Sequence, residues 1–369
     1  MKKNILKSSG FQTLLASLIC IVVGVFVGFL VLLAIEPSGA FEATMSVVKN
    51  FLNYSRANMQ LKYLGQTLVK TAPLLMCSLS VLFSYKVGLF NIGAAGQYVV
   101  GVCACLYAAI SWQWGWLACV LFAAVVAAAY GAIVGALKAY FNVNEVISGI
   151  MLNWIGLYAT NMILMNVKDS SSPYTYSLNA ANKSAMLPNL GLDKVFNNQY
   201  VGIAIPLSVV IAVLVWLLMN KTKLGYELRA TGLNKNAAKY CGMAENRNII
   251  LALAISGALA GLAASFFFLT DIEQWAVTTS SVPQMGFNGI AAAFLGGLSP
   301  IGTIFASFFI QHITEGGTHV DLSTYCSQIS DLISAIIIYL CGFTAFLKLA
   351  MNKAIVNAEK KNDKERSNK

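Results

Sequence analysis

Apolar runs long enough to cross a bilayer recur along the chain, separated by short polar stretches. The first, Phe11 to Ile35, contains no ionisable residue and spans the roughly 30 Å hydrocarbon core with some tilt. It exceeds the roughly 7–15 residues of a signal-peptide apolar region, and no small-residue cleavage site follows, so it reads as a retained span. Further spans are expected over 64–85, 88–110, 116–138, 146–166, 201–219, 249–269, 286–299, 301–314 and 328–347. The short pair 286–299 and 301–314 forms either a re-entrant hairpin, giving eight crossings, or two spans, giving ten. Both counts are even, so both termini fall on one side. The expected fold class is an all-α polytopic membrane protein, a bundle of 8–10 helices with short or broken ones where polar residues enter apolar stretches.

Composition agrees. The chain is 57% apolar and 11% charged, whereas soluble domains carry roughly 25% charged residues. Basic residues gather on alternate connections. Lys2, Lys3 and Lys7 precede the first span, Lys86 and Lys138 end spans on the same side, and six basic residues against Glu227 and Glu245 fill 220–248. The tail 348–369 adds seven more, against Glu359, Asp363 and Glu365. On the other side, 36–62 sets Lys49, Arg56 and Lys62 against Glu36 and Glu42, and 167–200 sets three Lys against two Asp. The positive-inside rule therefore places 1–10, 220–248 and 348–369 in the cytoplasm and 167–200 outside. The net charge of +10 is a topology signal, and its dispersal over loops argues against a nucleic-acid partner. Trp112, Trp114 and Trp116 fit an aromatic belt at the outer interface.

Catalytic chemistry is sparse. Cys20, Cys77, Cys103, Cys105, Cys119 and Cys341 lie in predicted spans, where cysteine acts as a small apolar residue. Cys103 and Cys105 fall on different helix faces, and Cys241 is expected in the reducing cytoplasm. The two histidines, His312 and His319, bracket Glu315 with Asp321 following. On one continuous helix the histidines would share a face, and a metal site or acid–base enzyme would follow. Gly316 and Gly317 interrupt that helix, so interfacial polar residues are the expectation, with no metal and no cofactor. Asp331, in an otherwise apolar stretch, reads as a span end reaching the interface. No phosphate-binding loop ending in Lys-Ser/Thr occurs, so ATP hydrolysis is not expected of this chain.

Polar residues inside the spans carry more information. Gly88 to Gln97 reads GLFNIGAAGQ, putting Phe90, Asn91 and Gln97 among glycines in an apolar setting. Gly286 to Gly297, GFNGIAAAFLGG, repeats the Phe-Asn pair as Phe287 and Asn288, which suggests an internal duplication with a site between halves. Asn144 is a candidate helix cap and Glu145 favours the same N-terminus, whereas Asn153 lies deeper with no capping role to explain it. Amides beside aromatics, without buried charge, suit a small neutral polar solute carrying a ring. Gly88 follows Lys86, so Phe90 and Asn91 stand near the cytoplasmic face as contact or gate, and Gln97 and Asn153 are the better solute contacts. Gly24/Gly28, Gly131/Gly135 and Gly257/Gly261 are Gly-xxx-Gly pairs that let backbones pack closely. In the 220–248 loop, LRATGLNKNAAKYCGM predicts a turn at Gly232, a cap at Asn234 and a short helix with Ala237, Ala238 and Tyr240 on one face, a shape that needs a partner surface.

GLFNIGAAGQ, NEVISGIMLNWI (Asn144–Ile155), LRATGLNKNAAKYCG and GFNGIAAAFLGGLSPIG (Gly286–Gly302) together resemble the permease subunits of bacterial ABC importers for ribose, branched-chain amino acids and nucleosides. The likeness is greatest to the nucleoside branch and covers roughly 60–347, with the motifs in the family's order. It implies a permease domain over 11–347 in the bacterial cell membrane, with about ten helices, and a second, non-identical permease subunit completing the pathway. A lipid-anchored binding protein would deliver solute, and separate ABC ATPase subunits would dock on Arg229, Gly232, Asn234, Ala237, Ala238 and Gly242. Phe90, Asn91, Gln97, Asn153, Phe287 and Asn288 would line or border the path in an alternating-access cycle. The remaining alternatives are a monosaccharide or branched-chain amino acid permease and, from another class, an intramembrane enzyme using His312, Glu315 and His319.

Overall fold

A computed structural model describes residues 9–320 and scattered positions between 332 and 353. Asp321, Asp331, Cys341, residues 1–8, more than half of 328–347 and nearly all of 348–369 lie outside the described residues. The described chain is helical: α1 (Ser9–Ile35), α2 (Ala40–Lys49), α3 (Ala57–Lys86), α4 (Ala94–Ile110), α5 (Trp116–Phe141), α6 (Glu145–Leu164), α7 (Leu178–Ala181), α8 (Leu192–Phe196), α9 (Ala204–Lys221), α10 (Lys223–Leu233), α11 (Lys235–Tyr240), α12 (Glu245–Phe268), α13 (Gln284–Leu295) and α14 (Pro300–Gly317). Among the described residues there are only two isolated β-bridges, Lys168 with Thr175 and Tyr174 with Ala276. Six helical segments are long and apolar enough to cross a membrane, in α1, α3, α5, α6, α9 and α12, and α4 is a shorter apolar helix. The chain is a multi-pass membrane protein.

The glycine pairs form the seam of the bundle. A Cβ on Gly131 would overlap the Leu253 carbonyl, and one on Gly135 would lie 2.8 Å from Ile250 Cα. In return, Gly257 and Gly261 press on the carbonyls of Ala127 and Ala123. The contacts run in opposite order, so α5 and α12 are antiparallel with their two Gly-xxx-Gly motifs facing each other. With lipid on the outside there is little hydrophobic drive between helices, and this close approach supplies the packing instead. Leu117, Leu121, Val125, Ile147, Met151 and Met162 stay exposed on the outer faces of α5 and α6, as lipid-facing positions should.

The connections sort onto two ends. One end holds Lys86, α10, α11 and the pair Lys138 Nζ–Glu145 Oε2 at 2.9 Å. The other holds 36–56, the aromatic cluster of Tyr107, Trp112, Trp114 and Phe122, and a cap built from 167–200 and 269–280. In that cap Asp271 accepts from Ser177 Oγ (2.6 Å) and from the Leu178 and Asn179 N–H groups (3.0 and 3.1 Å), so it caps α7 from a distant segment. Trp275 Nε1 donates to Asn161 Oδ1 at 2.9 Å, tying the cap to α6. This sorting matches the alternation expected from the charges.

The expected span over 88–110 is shorter than the pattern suggested, because the helix begins at Ala94. Residues 87–93 instead fold back into the bundle as a loop, for the reason given below. The 286–299 segment is likewise a 12-residue helix, roughly 18 Å long at 1.5 Å per residue, which cannot span the core alone. Its lower end still reaches the Lys86 end of α3, where Phe294 stacks edge-on with Tyr85 at 5.1 Å. From there α14 runs to the opposite end, where Gly316 packs on the Val47 carbonyl. The α13–α14 connection is therefore no shallow hairpin.

Candidate functional site

At the end of α3 the N–H groups of Val87, Gly88 and Leu89 bond back to the carbonyls of Ser84 and Tyr85, each at 3.0 Å. Gly88 takes φ +74°, a conformation glycine adopts without the steric penalty of other residues. The chain thereby reverses into the bundle, and Asn91 reaches the depth of Ser80 and Ser256. Its Nδ2 donates to Gln97 Oε1 (2.8 Å) and to Ser256 Oγ (2.6 Å), using both hydrogens. Gln97 Nε2 returns a bond to Asn91 Oδ1 at 3.3 Å, and Ser256 Oγ donates to the Ser80 carbonyl at 2.7 Å.

Asn153, on α6, also serves this loop. Its Oδ1 accepts from the Gly96 N–H (2.7 Å) and its Nδ2 donates to the Ile92 carbonyl (3.1 Å). The first turn of α4 has N–H groups with no partner inside the helix, and Asn153 supplies one from a neighbouring helix. Asn153 does cap a helix after all, though not its own. Asn91, Gln97 and Asn153 are 2%, 1% and 2% exposed, so the structure gathers three of the sequence-selected residues around one loop, Asn91 and Gln97 bonded to each other and Asn153 to the backbone at Ile92 and Gly96. Phe90 stands half-buried beside it. Asn144 is a local cap, with its Oδ1 2.8 Å from the Val146 N–H.

The second Phe-Asn pair is placed differently. On α13, Gly286 abuts Ala95, whose Cα would be 2.5 Å from an added Cβ, and Gly289 abuts Cys77 and Ser78. That packing buries one face. Gln284 and Phe287 are exposed, Asn288 is half-buried, and residues spaced by three and four share a helix face. Neither amide has a hydrogen-bond partner among the described residues. Unpartnered amides at the depth of Cys77 are costly against lipid, so this face suits water, a solute or another subunit. The two Phe-Asn segments touch, but one is loop and the other helix. Gln284 was not singled out in the sequence, although it lies one helical turn before Asn288.

α10 and α11 occupy the Lys86 end. Thr222 Oγ1 caps α10 through the Gly225 N–H at 3.1 Å, and Asn234 Oδ1 caps α11 through the Ala237 N–H at 3.0 Å, as its sequence position suggested. Gly232 is not a turn: α10 continues through it to Leu233. The expected small face is also altered, because Ala238 is buried whereas Ala237 and Tyr240 are exposed. The real function of Gly232 is close approach, since an added Cβ would overlap the Val87 carbonyl. Arg229 Nε donates back to the Gly225 carbonyl at 3.3 Å, and Gly242 ends α11 with φ +77°. Leu233 and Tyr240 are 88% and 94% exposed.

His312, Glu315 and His319 do not converge. His312 Nδ1 meets Asn50 Nδ2 at 3.2 Å and its Nε2 meets the Val48 carbonyl at 2.9 Å. His319 lies edge-on to Tyr54 and Tyr63, at 5.4 and 5.5 Å. Glu315, 5% exposed, bridges to Lys70 Nζ at 2.7 Å and accepts from Gln311 (3.2 Å) and Gln66 (3.3 Å). Lys70 was not among the residues singled out in the sequence, although a charge inside the 64–85 span calls for a partner.

The family described as branched-chain amino acid transport system / permease component matches residues 63–342. The chain is 32% identical over 345 residues to the guanosine ABC transporter permease protein NupP of Bacillus subtilis, covering 92% of this chain and 96% of that one. It is 28% identical over 356 residues to the nucleoside ABC transporter permease protein NupB of Lactococcus lactis, covering 93% and 94%. It is 27% identical over 299 residues to the glucose ABC transporter permease protein TsgB13 of Haloferax volcanii, covering 77% of each. No solved structure matches. A multi-helical membrane bundle matched over most of its length by transport subunits, the chain belongs to the ABC transporter permease family and is a transport protein, not an enzyme.

Proposed function

We propose that this permease carries nucleosides into the cell, with the Lys86 end cytoplasmic and both termini on that side. The observation that carries the site assignment is the open face of α13. Gln284 and Asn288 offer amide donors and acceptors beside the Phe287 ring, without a charge. A neutral solute with a flat ring and several hydroxyls fits that chemistry, whereas an amino acid brings two charges with no buried counter-charge on the face. The path then runs along α13 against a second permease subunit, and the buried Asn91, Gln97 and Asn153 shape the wall behind it. Nucleosides lack two-fold symmetry, so a non-identical partner offering a different wall suits them.

In the same reading, ATPase subunits dock on α10–α11, where Leu233 and Tyr240 project beside Lys235 and Lys239, and a binding lipoprotein delivers solute at the 167–200 cap. Names of relatives that specify guanosine and nucleosides support the solute class. A glucose permease among the relatives supports a monosaccharide as the second reading. Uptake of labelled uridine by the complete transporter tests both. Competition by guanosine and not by ribose or leucine is the expected result, and displacement of uridine by ribose at equal concentration overturns the nucleoside assignment.

A further inference from the structure

Two close backbone approaches line up between the α10–α11 surface and the α13 face. Gly232 on α10 lies directly against Val87 and Gly88, with its carbonyl oxygen 2.7 Å from where a Gly88 Cβ would stand. Residues 88–93 lead without a break into Ala94 and Ala95, the first turn of α4. Ala95 in turn meets Gly286, with its backbone N 2.8 Å from an added Cβ there. Gly286 is adjacent to Phe287 and two residues from Asn288. At both junctions glycine removes the side chain, so backbone bears on backbone and no flexible group lies between to absorb a displacement.

The loop in the middle is held for transmission. Its own groups are bound through Asn91, Ser256 and Asn153, so it moves as a body and does not simply deform. α10 is also tied to α12, by Asn248 Nδ2 donating to Thr231 Oγ1 at 2.9 Å and by Arg247 Nη2 lying 3.6 Å from Glu227 Oε2. Those bonds run through side chains, whereas the Gly232 contact is backbone on backbone.

We propose that the 87–93 loop is the relay by which movement of α10–α11 reaches the solute face of α13, through Gly232–Gly88 and then Ala95–Gly286. The relay rests on the docking assignment above. A displacement of α10 pushes the loop, the loop carries the first turn of α4, and that turn shifts Phe287 and Asn288. Coupling of this kind requires an element that both ends bias, and the loop is the element in contact with both.

Hydrogen–deuterium exchange on the complete transporter in lipid nanodiscs, nucleotide-free against vanadate-trapped, tests it. Segments 228–236, 86–96 and 284–290 are expected to change together, by at least about threefold in exchange rate. A change at 228–236 with 86–96 silent overturns the relay and leaves the docking assignment standing. Silence at 228–236 overturns the docking assignment and the relay with it. Gly232→Ala, which pushes α10 off the loop, is expected to confine the change to 228–236. Gly286→Ala is expected to abolish it only at 284–290, and retention of the full response in both variants overturns the relay. If neither variant assembles, the unmodified transporter decides.

Discussion

Gly88 and Gly232 touch backbone to backbone, although they belong to two motifs far apart in sequence and on different elements. The contact tolerates no side chain on either residue: Gly232 faces the Val87 carbonyl, and Gly88 holds φ +74°. Gly88→Ala is therefore expected to destabilise the chain by about 1–2 kcal/mol from backbone strain alone, read as a lowered Tm in detergent. An unchanged Tm would show that the loop relaxes freely, and the strained reversal would lose its importance.

Asn153 and Asn288 should separate the scaffold from the path. Asn153→Ala strips the Gly96 N–H and the Ile92 carbonyl of partners, at about 1–3 kcal/mol for each group left buried and unpaired. Both Tm and uptake should fall. Asn288→Ala breaks no hydrogen bond among the described residues, so Tm should hold while nucleoside uptake drops. Equal behaviour of the two variants in both assays would remove the distinction.

The exposed pair Leu233 and Tyr240 tests docking. Leu233→Glu with Tyr240→Glu should leave the Tm of the isolated permease unchanged, since both side chains are in solvent. Recovery of the ATPase on affinity-purified permease should fall at least about tenfold, an effect of the size reached when interface anchors are lost. Undiminished recovery places the ATPase elsewhere.

Lys70 and Glu315 pin α14 to α3. Removing one partner from a fully buried pair costs roughly 3–5 kcal/mol, and Lys70→Met should cost less because the lysine side chain keeps 27% exposure. Lys70→Met with Glu315→Met should regain most of the loss, because the stranded carboxylate is gone. A double variant no more stable than Lys70→Met alone would show that the pair is not what holds the helices.

Burial between Tyr54 and Tyr63 pushes the His319 pKa below its ordinary 6.5, against a smaller opposing pull from Glu315. A base with a lowered folded pKa binds protons better when unfolded, so its contribution is neutral above pH 6.5 and destabilising as pH falls below it. Tm should therefore decline between neutral and mildly acidic pH, and His319→Phe, which keeps the ring contacts, should flatten that decline. An identical pH profile in the variant would assign the acid sensitivity to another group.

Features written in local pattern were legible before the structure. The apolar runs marked the spans, Asn144 and Asn234 marked their caps, and Gly131/Gly135 with Gly257/Gly261 marked the α5–α12 seam. Features set by tertiary partners were not. The apolar count over 88–110 favours a helix throughout, and it is the glycine reversal at Gly88, the hydroxyl of Ser256 and the amide of Asn153 that hold 87–93 out of one. Asn153 lacks a local capping role because the N–H it serves belongs to another helix. Gln284 sits in an ordinary sequence context, and only the burial of the opposite α13 face shows that it looks outward. Lys70 was visible as a charge in a span, but nothing in the pattern named Glu315 as its partner.

The α5–α12 seam has a practical use for anyone following this transporter through its cycle. Its facing glycines leave nothing compressible between two helices that run most of the bundle's depth. Labels placed on that pair give the reference from which displacement of the α13 face is to be measured, since the two backbones are already in contact along the seam.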